Sequence, residues 1–244
     1  MTFRISRQFG LSAGLLGCLL TAGACASSRS ATPADPRFQM GDAGAVARAR
    51  ADSLRYPYTK ADVDFMSGMI HHHAQAITIS RWAVSHGASP AVQRLTARII
   101  NAQTDEINLM RTWLKDRGQP VPSVDTAGNV TMPGMAGMNH AGHDMGGMSM
   151  NAQGQMAMPG MLTDAQLKSL DAARGGEFDK LFLTYMIQHH RGAVTMVRTL
   201  YTSNGAAQDE TVFKFANDVE VDQSTEIKRM MSMMLEMGAV PPME

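Results

Sequence analysis

The chain has 244 residues, with 22 basic and 22 acidic side chains, eight histidines and a formal net charge of zero. Neutrality without a basic run or basic–aromatic interleaving excludes the electrostatic footprint of a nucleic-acid binder. Two cysteines stand against 22 methionines, so soft-metal chemistry in the body of the chain falls to Met and His.

Arg4 and Arg7 open the chain, and Leu11 to Ala24 is an apolar run rich in Leu, Gly and Ala. That run is shorter than the roughly 20 apolar residues of a membrane span and ends in small residues, the pattern of an export signal. Ala22-Gly23-Ala24-Cys25 is similar to a bacterial lipobox, with Cys25 as the lipidated residue and Ala22 where such boxes usually carry Leu. Cleavage by the ordinary signal peptidase near Ala24 or Ala26 is the alternative. Residues 1–25 are therefore expected to be a signal peptide that sends the protein to the periplasm or cell envelope. A lipid anchor at Cys25 would be its only membrane attachment. Cys18 and Cys25 both lie in or beside this signal, and a thiol-free mature domain suits an oxidising compartment. Removing Arg4 and Arg7 leaves 20 basic against 22 acidic residues, net −2.

Residues 26–58, with Pro33, Pro36 and Pro57, form a tether that includes a short helix from Ala43 to Leu54. Thr59 or Asp62 then starts a long helix running to about His86. Gly87-Ala88-Ser89-Pro90 supplies a break, a cap and a helix-opening proline. The second helix runs from Pro90 to Arg117 and stops at Gly118-Gln119-Pro120, which closes a first helical hairpin over 59–117. A Met- and Gly-rich stretch over 118–162 has no periodicity and is expected to be a disordered linker. Thr163-Asp164 caps a short helix through Leu170, and Gly175-Gly176 breaks it. A third long helix follows from Glu177 to Ser203, then the turn Asn204-Gly205 and a fourth helix from Gln208 to Met237. These complete a second hairpin over 163–240.

The two hairpins are copies. Met69-Ile70-His71-His72-His73 recurs as Met186-Ile187-Gln188-His189-His190, an offset of 117 that also pairs Asp62 with Asp179 and Phe65 with Phe182. The return helices repeat as well, Gln103, Glu106, Ile107 and Met110 matching Gln223, Glu226, Ile227 and Met230 at an offset of 120. Internal repeats fix architecture, and two hairpins of long helices predict an all-α fold, an antiparallel four-helix bundle of ferritin-like form.

At about 100° per residue, Asp62, Phe65, Met66, Met69, His72, His73 and Ala76 share one stripe, and Asp179, Phe182, Met186, His189, His190 and Ala193 share its counterpart. His71 points nearly the opposite way. Apolar neighbours turn these stripes inward, where an unpaired polar group costs roughly 1–3 kcal/mol. The histidines therefore need partners. Glu106 and Glu226 on the return helices are one source, as ligands of a shared ion or, better, as groups that orient a ligating histidine. Imidazole suits Zn, Cu, Ni and Fe, and thioether selects Cu(I). The plainer alternative makes Met66, Met69 and Met186 core filler and pairs the histidines with Glu106 and Glu226.

The linker adds an independent sign of soft-metal binding. Nine methionines lie from Met132 to Met161, among them Met135, Met138, Met145 and Met148, with His140 and His143 between them. Thioethers spaced two or three apart in glycine-rich chain can wrap Cu(I) or Ag(I); an inert or oxidation-scavenging tract is the alternative. A di-iron site is disfavoured, because its Glu-x-x-His signature is absent and Met stands where Glu would be. Nucleophilic catalysis has neither a thiol nor a serine elbow.

The phrases FMSGMIHHHAQAI and FDKLFLTYMIQHHRGAV, with QTDEINLMRTWL and QSTEIKRMM, resemble the family called domain of unknown function 305 from Lys60 to Met237, interrupted by the linker. The resemblance implies a ferritin-like four-helix bundle, usually exported, some of whose members are periplasmic copper-binding proteins implicated in copper resistance. Its Met-Ile-x-His-His motif falls on Met69, His72 and His73 and on Met186, His189 and His190. The family's downstream Met falls on Met196, where the first copy has Ile79. The expected function is copper sequestration or relay, Cu(I) first, with Zn or Ag as alternatives and a copper-delivery or efflux protein as partner. A metal-free structural or partner-binding module is the second reading, and a metal-dependent oxidoreductase the third.

Overall fold

The structure, a computed structural model, describes residues 40–53, 57–125, 130–131, 149–150 and 156–243. The expected signal with Cys18 and Cys25 lies outside these residues, as do Met135, Met138, His140, His143, Met145 and Met148 of the linker. The described chain is mostly helical: α1 (Gly41–Ser53), α2 (Lys60–Ser85), α3 (Pro90–Asp116), α4 (Asp164–Ala172), α5 (Gly175–Thr202) and α6 (Glu210–Glu236). Within the linker, β1 (Ser123–Val124) pairs with β2 (Val130–Thr131) and β3 (Ser149–Met150) with β4 (Met156–Ala157). Strands of two residues are too short to show an alternating pattern, so the sequence carries no sign of them. No described helix is long and apolar enough to cross a membrane.

Local chemistry sets the helix ends. Thr59 and Asp62 form a reciprocal capping box at α2, and Thr163 and Gln166 do the same at α4. Ser89 caps α3 ahead of Pro90, and Asp209 accepts from the Thr211 and Val212 amides at the start of α6. Gly87 ends α2 with φ +69°, a conformation a side chain would strain.

α2 packs on α3, α5 on α6, and α2 on α5. Two apolar clusters result. One holds Phe65, Met66 and Met69 of α2 with Met110 and Trp113 of α3, Met196 and Leu200 of α5 and Phe215 of α6. The other holds Ile79 and Ala83 of α2 with Leu95 of α3, Phe178, Phe182 and Met186 of α5 and Met230 of α6. α2 thus runs from the first cluster into the second, and α5 runs the other way. Between the clusters each helix carries its polar residues, His72 and His73, Gln103 and Glu106, His189 and His190, Gln223 and Glu226.

The paired aspartates lock the hairpins to each other. Asp62 Oδ1 accepts from the Ala207 amide at 2.7 Å, in the α5–α6 turn. Asp179 accepts from the Ser89 amide at 3.1 and 3.2 Å, in the α2–α3 turn. Each copy therefore caps the turn of the other. Both carboxylates are buried. A third tie joins the end of α3 to the start of α6, where Arg117 and Asp209 form a buried ion pair and Trp113 Nε1 donates to Asp209 Oδ1 at 3.0 Å. Asp179→Ala should cost about 1–3 kcal/mol, because a buried amide and a helix-capping contact lose their acceptor. At roughly 2–4 °C per kcal/mol for a chain of this size, thermal denaturation should show a fall of several degrees. An unchanged melting temperature would mean that apolar packing alone holds the turn.

Candidate metal centre

The histidine pairs of the two copies meet in the polar layer. All four rings are buried, and the His72 and His189 ring centroids lie 3.7 Å apart at 42°. Each of the two is farther from its neighbour on the same helix, 6.5 Å for His72–His73 and 6.4 Å for His189–His190. The histidine layer is therefore shared between the hairpins, an arrangement that the spacing within one helix leaves open.

Carboxylates hold the outer pair. His190 Nε2 lies 2.7 Å from Glu226 Oε2 in hydrogen-bond alignment. His73 Nε2 lies 2.7 Å from Glu106 Oε2, at ion-pair distance but without that alignment. A carboxylate accepts, so we assign the Nε2–H tautomer to His190. Arg98 approaches the other Glu226 oxygen at 3.7 Å. Glu106 and Glu226 are thus placed to orient the histidines, the arrangement that fixes a ligating ring in metal sites.

The inner pair is fixed differently. His72 Nε2 lies 3.0 Å from the Pro159 carbonyl oxygen. A carbonyl can only accept, so His72 too carries its proton on Nε2 and leaves Nδ1 with a free lone pair. His72 Nδ1, His73 Nδ1, His190 Nδ1 and both nitrogens of His189 have no hydrogen-bond partner among the described residues.

Burial sets the protonation of these rings. It lowers His72 to about 3, aided by positive charge on His73 and opposed by the Pro159 bond. Burial pushes His189 well below the ordinary histidine value, aided by His72, His190 and His73 and opposed by a contact with the His72 backbone carbonyl. The inner rings are neutral at physiological pH, the state in which imidazole ligates a metal. Asp222 lies near the outer end of the layer, its pKa raised by burial and by the charges of Glu106, Asp218 and Glu226.

A family model described as Domain of unknown function (DUF305) matches residues 62–234. The chain belongs to the DUF305 family. It is similar to a DUF305 protein from Streptomyces coelicolor, 26% identical with a TM-score of 0.57 over 75% of this chain and 98% of that one. A DUF305 fragment from Deinococcus radiodurans is 23% identical with a TM-score of 0.56, covering 74% of this chain and 99% of the fragment. CopM in its Cu(II)-bound form is 31% identical, covers 72% and 96% of the two chains and has a TM-score of 0.49. An uncharacterized protein of Acanthamoeba polyphaga mimivirus is 41% identical over 56 residues, and the chain spans 37% of that relative's length.

In this DUF305 chain the repeated methionines do not share one position. Met66, Met69 and Met196 are buried in the first apolar cluster and Met186 in the second, on opposite sides of the histidine layer. Among the described residues, no three His, Asp or Glu side chains are grouped as a ready metal site. The linker sites at Met135, Met138, His140, His143, Met145 and Met148 fall outside the described residues.

The structure also brings up residues that periodicity does not reveal. Met158 is buried in the first apolar cluster and Leu162 in the second, so the end of the linker crosses the histidine layer as a strap. Gln75 grips the strap twice, donating to the Leu162 carbonyl at 3.1 Å and accepting from its amide at 2.8 Å. Gln188 Nε2 donates to the Gly160 carbonyl at 3.3 Å. Gly160, at φ +76°, lies against Gly192 of α5, where an added Cβ would stand 2.0 Å from the Pro159 oxygen. The signal for this contact was a mid-helix glycine, Gly192, at the place where the first copy has Gln75.

Proposed function

We propose that the protein is an exported copper-binding protein that sequesters or relays Cu(I) at the histidine layer of an antiparallel four-helix bundle. The observation that carries this reading is the set of buried imidazole nitrogens with no hydrogen-bond partner among the described residues. Buried rings held by carboxylate and carbonyl partners, flanked by clusters that contain thioethers, form a donor set that suits a soft monovalent ion. His72, His73, His189 and His190 would hold the ion, with Met69, Met186, Met66 and Met196 as candidate thioether donors from the flanking clusters and Glu106 and Glu226 orienting the outer rings. The linker thioethers and His140 and His143 would collect ions, and the buried layer would retain them. The apolar leader with its lipobox-like end supports a location in the periplasm or cell envelope, with Cys25 as the proposed lipid anchor. A copper-delivery or efflux protein is the proposed partner of such a carrier.

The metal-free module remains the second reading. It is favoured by the carboxylate partners of His73 and His190 and by the absence of a ready three-residue cluster among the described residues.

An anaerobic Cu(I) competition titration against a chromophoric chelator separates the two, with Zn(II) as control. The full chain should hold one class of ions that is lost when His72, His73, His189 and His190 are all replaced by Leu. Circular dichroism should show the helices retained in that variant. Undiminished tight binding in the variant would leave the linker as the binder and remove the helix-borne site.

A further inference from the structure

The strap is the part of the site that no helix supplies. It enters from the Met-rich linker, buries Met158 in the cluster that also holds Met69, Met196 and Ala193, and leaves through Leu162 in the opposite cluster. Its backbone is bolted down on both sides of the layer, by Gln75 on α2 and Gln188 on α5. Contact with α5 is so close that neither Gly160 nor Gly192 has room for a Cβ. This attachment exceeds what a chain connection needs. It also places one polar atom of the strap, the Pro159 oxygen, on one ring of the centre.

We propose that Met158–Leu162 is a working part of the centre: Met158 supplies a thioether ligand, and the Pro159 carbonyl fixes His72 in the tautomer that leaves Nδ1 to bind. This deepens the copper reading and rests on it for its metal half; the tautomer half stands without metal. The chemistry of the two roles differs. A buried ring with no acceptor could place its proton on either nitrogen, and only one of the two forms presents Nδ1. The carbonyl removes that ambiguity. Met158 immediately precedes the residue whose carbonyl holds His72, and Met161 packs against the same cluster, so an ion passed from thioether to thioether along the linker would be brought to the side of the layer that holds His72. The outer side of the strap borders a solvent-open groove lined by Gln188, Arg191, Thr195 and Pro242.

Two variants of the full chain test this. Met158→Leu keeps an apolar side chain of similar volume and removes only the sulfur. At one Cu(I) per chain, X-ray absorption should show one sulfur neighbour fewer than wild type, and the competition titration should show an affinity lower by about tenfold or more. Unchanged sulfur count and affinity would overturn Met158 as a ligand. Gly192→Ala pushes the strap off α5 while favouring the helix itself by roughly 1 kcal/mol. Nitrogen-15 imidazole spectra of the metal-free protein should show His72 as the Nε2–H form in wild type and a mixture of tautomers in the variant. A His72 spectrum that does not change in Gly192→Ala, or in Gln75→Leu if the first fails to fold, would overturn the positioning role. Loss of the copper reading gives a different pattern, since wild type and Met158→Leu would then both bind as the four-histidine variant does.

Discussion

Replacing His189 with leucine should raise the melting temperature of the metal-free protein. The same change should abolish its stabilisation by Cu(I). Substitutions in a core usually destabilise, so the expected sign is opposite to the ordinary one. Its cause is that both ring nitrogens of His189 are buried without a hydrogen bond of good geometry, the His72 backbone carbonyl offering only a poorly aligned contact. An unsatisfied buried polar group costs about 1–3 kcal/mol, whereas an apolar side chain of similar size has no such cost. Leucine at this position would face the His72 ring, with which His189 is in close contact. A gain of about 1–3 kcal/mol corresponds to several degrees in a domain of this size. A binding site that is destabilising when empty is the expected trade between stability and function. With Cu(I) the order should invert, because an ion at about 100 times its Kd stabilises wild type by roughly 2.7 kcal/mol through mass action. Differential scanning calorimetry with and without Cu(I) reads both effects. A fall in the melting temperature of the metal-free variant would mean that His189 is a satisfied core residue and would count for the metal-free module.

Much of this was legible in the sequence because it is local. Thr59, Ser89-Pro90 and Thr163 mark helix starts through their own side chains, and the structure places α2, α3 and α4 at those caps. The inward stripes followed from spacing, and His72, His73, His189 and His190 are all buried. Pairing between the copies was not legible, because the meeting of His72 with His189 depends on how far α2 and α5 slide past one another. Periodicity along one helix does not contain that distance. For the same reason Asp62 and Asp179 are visible as a repeated pair while their reciprocal bonds to the opposite turns are not. The strap was hidden by composition. Met158-Pro159-Gly160-Met161 reads as one more low-complexity unit of the linker, and only its docking against Gly192 distinguishes it.

Acid should unfold the metal-free protein well before it disturbs copper binding by the folded form. The cause is the buried inner pair, faced by His73 and His190 and, behind them, by Glu106 and Glu226. His72 titrates near 6.5 in an unfolded chain and at about 3 in the fold. Below pH 6.5 the unfolded state therefore binds a proton that the folded state refuses, and stability must fall as pH falls. From 6.5 to 3 is about 3.5 decades of proton concentration at about 1.4 kcal/mol each, so His72 alone removes on the order of 5 kcal/mol by pH 3. About 2 kcal/mol of that is gone by pH 5. His189, held neutral by the same burial, adds to the loss in the same direction. Against a total stability of roughly 5–15 kcal/mol, a chain at the lower end of that scale is brought to a cooperative unfolding transition in the range between pH 5 and 4. Above that range the folded rings remain neutral, and protons do not compete for Nδ1 of His72 as they would for a solvated imidazole. The part of the Cu(I) affinity that the inner pair supplies should consequently be almost level from pH 7.5 to 5.5 and then collapse together with the helical signal. Circular dichroism and the competition titration, run across the same pH series, test the link directly. A gradual tenfold loss of affinity per pH unit in a protein that stays folded would place the binding nitrogens in water, outside the buried layer.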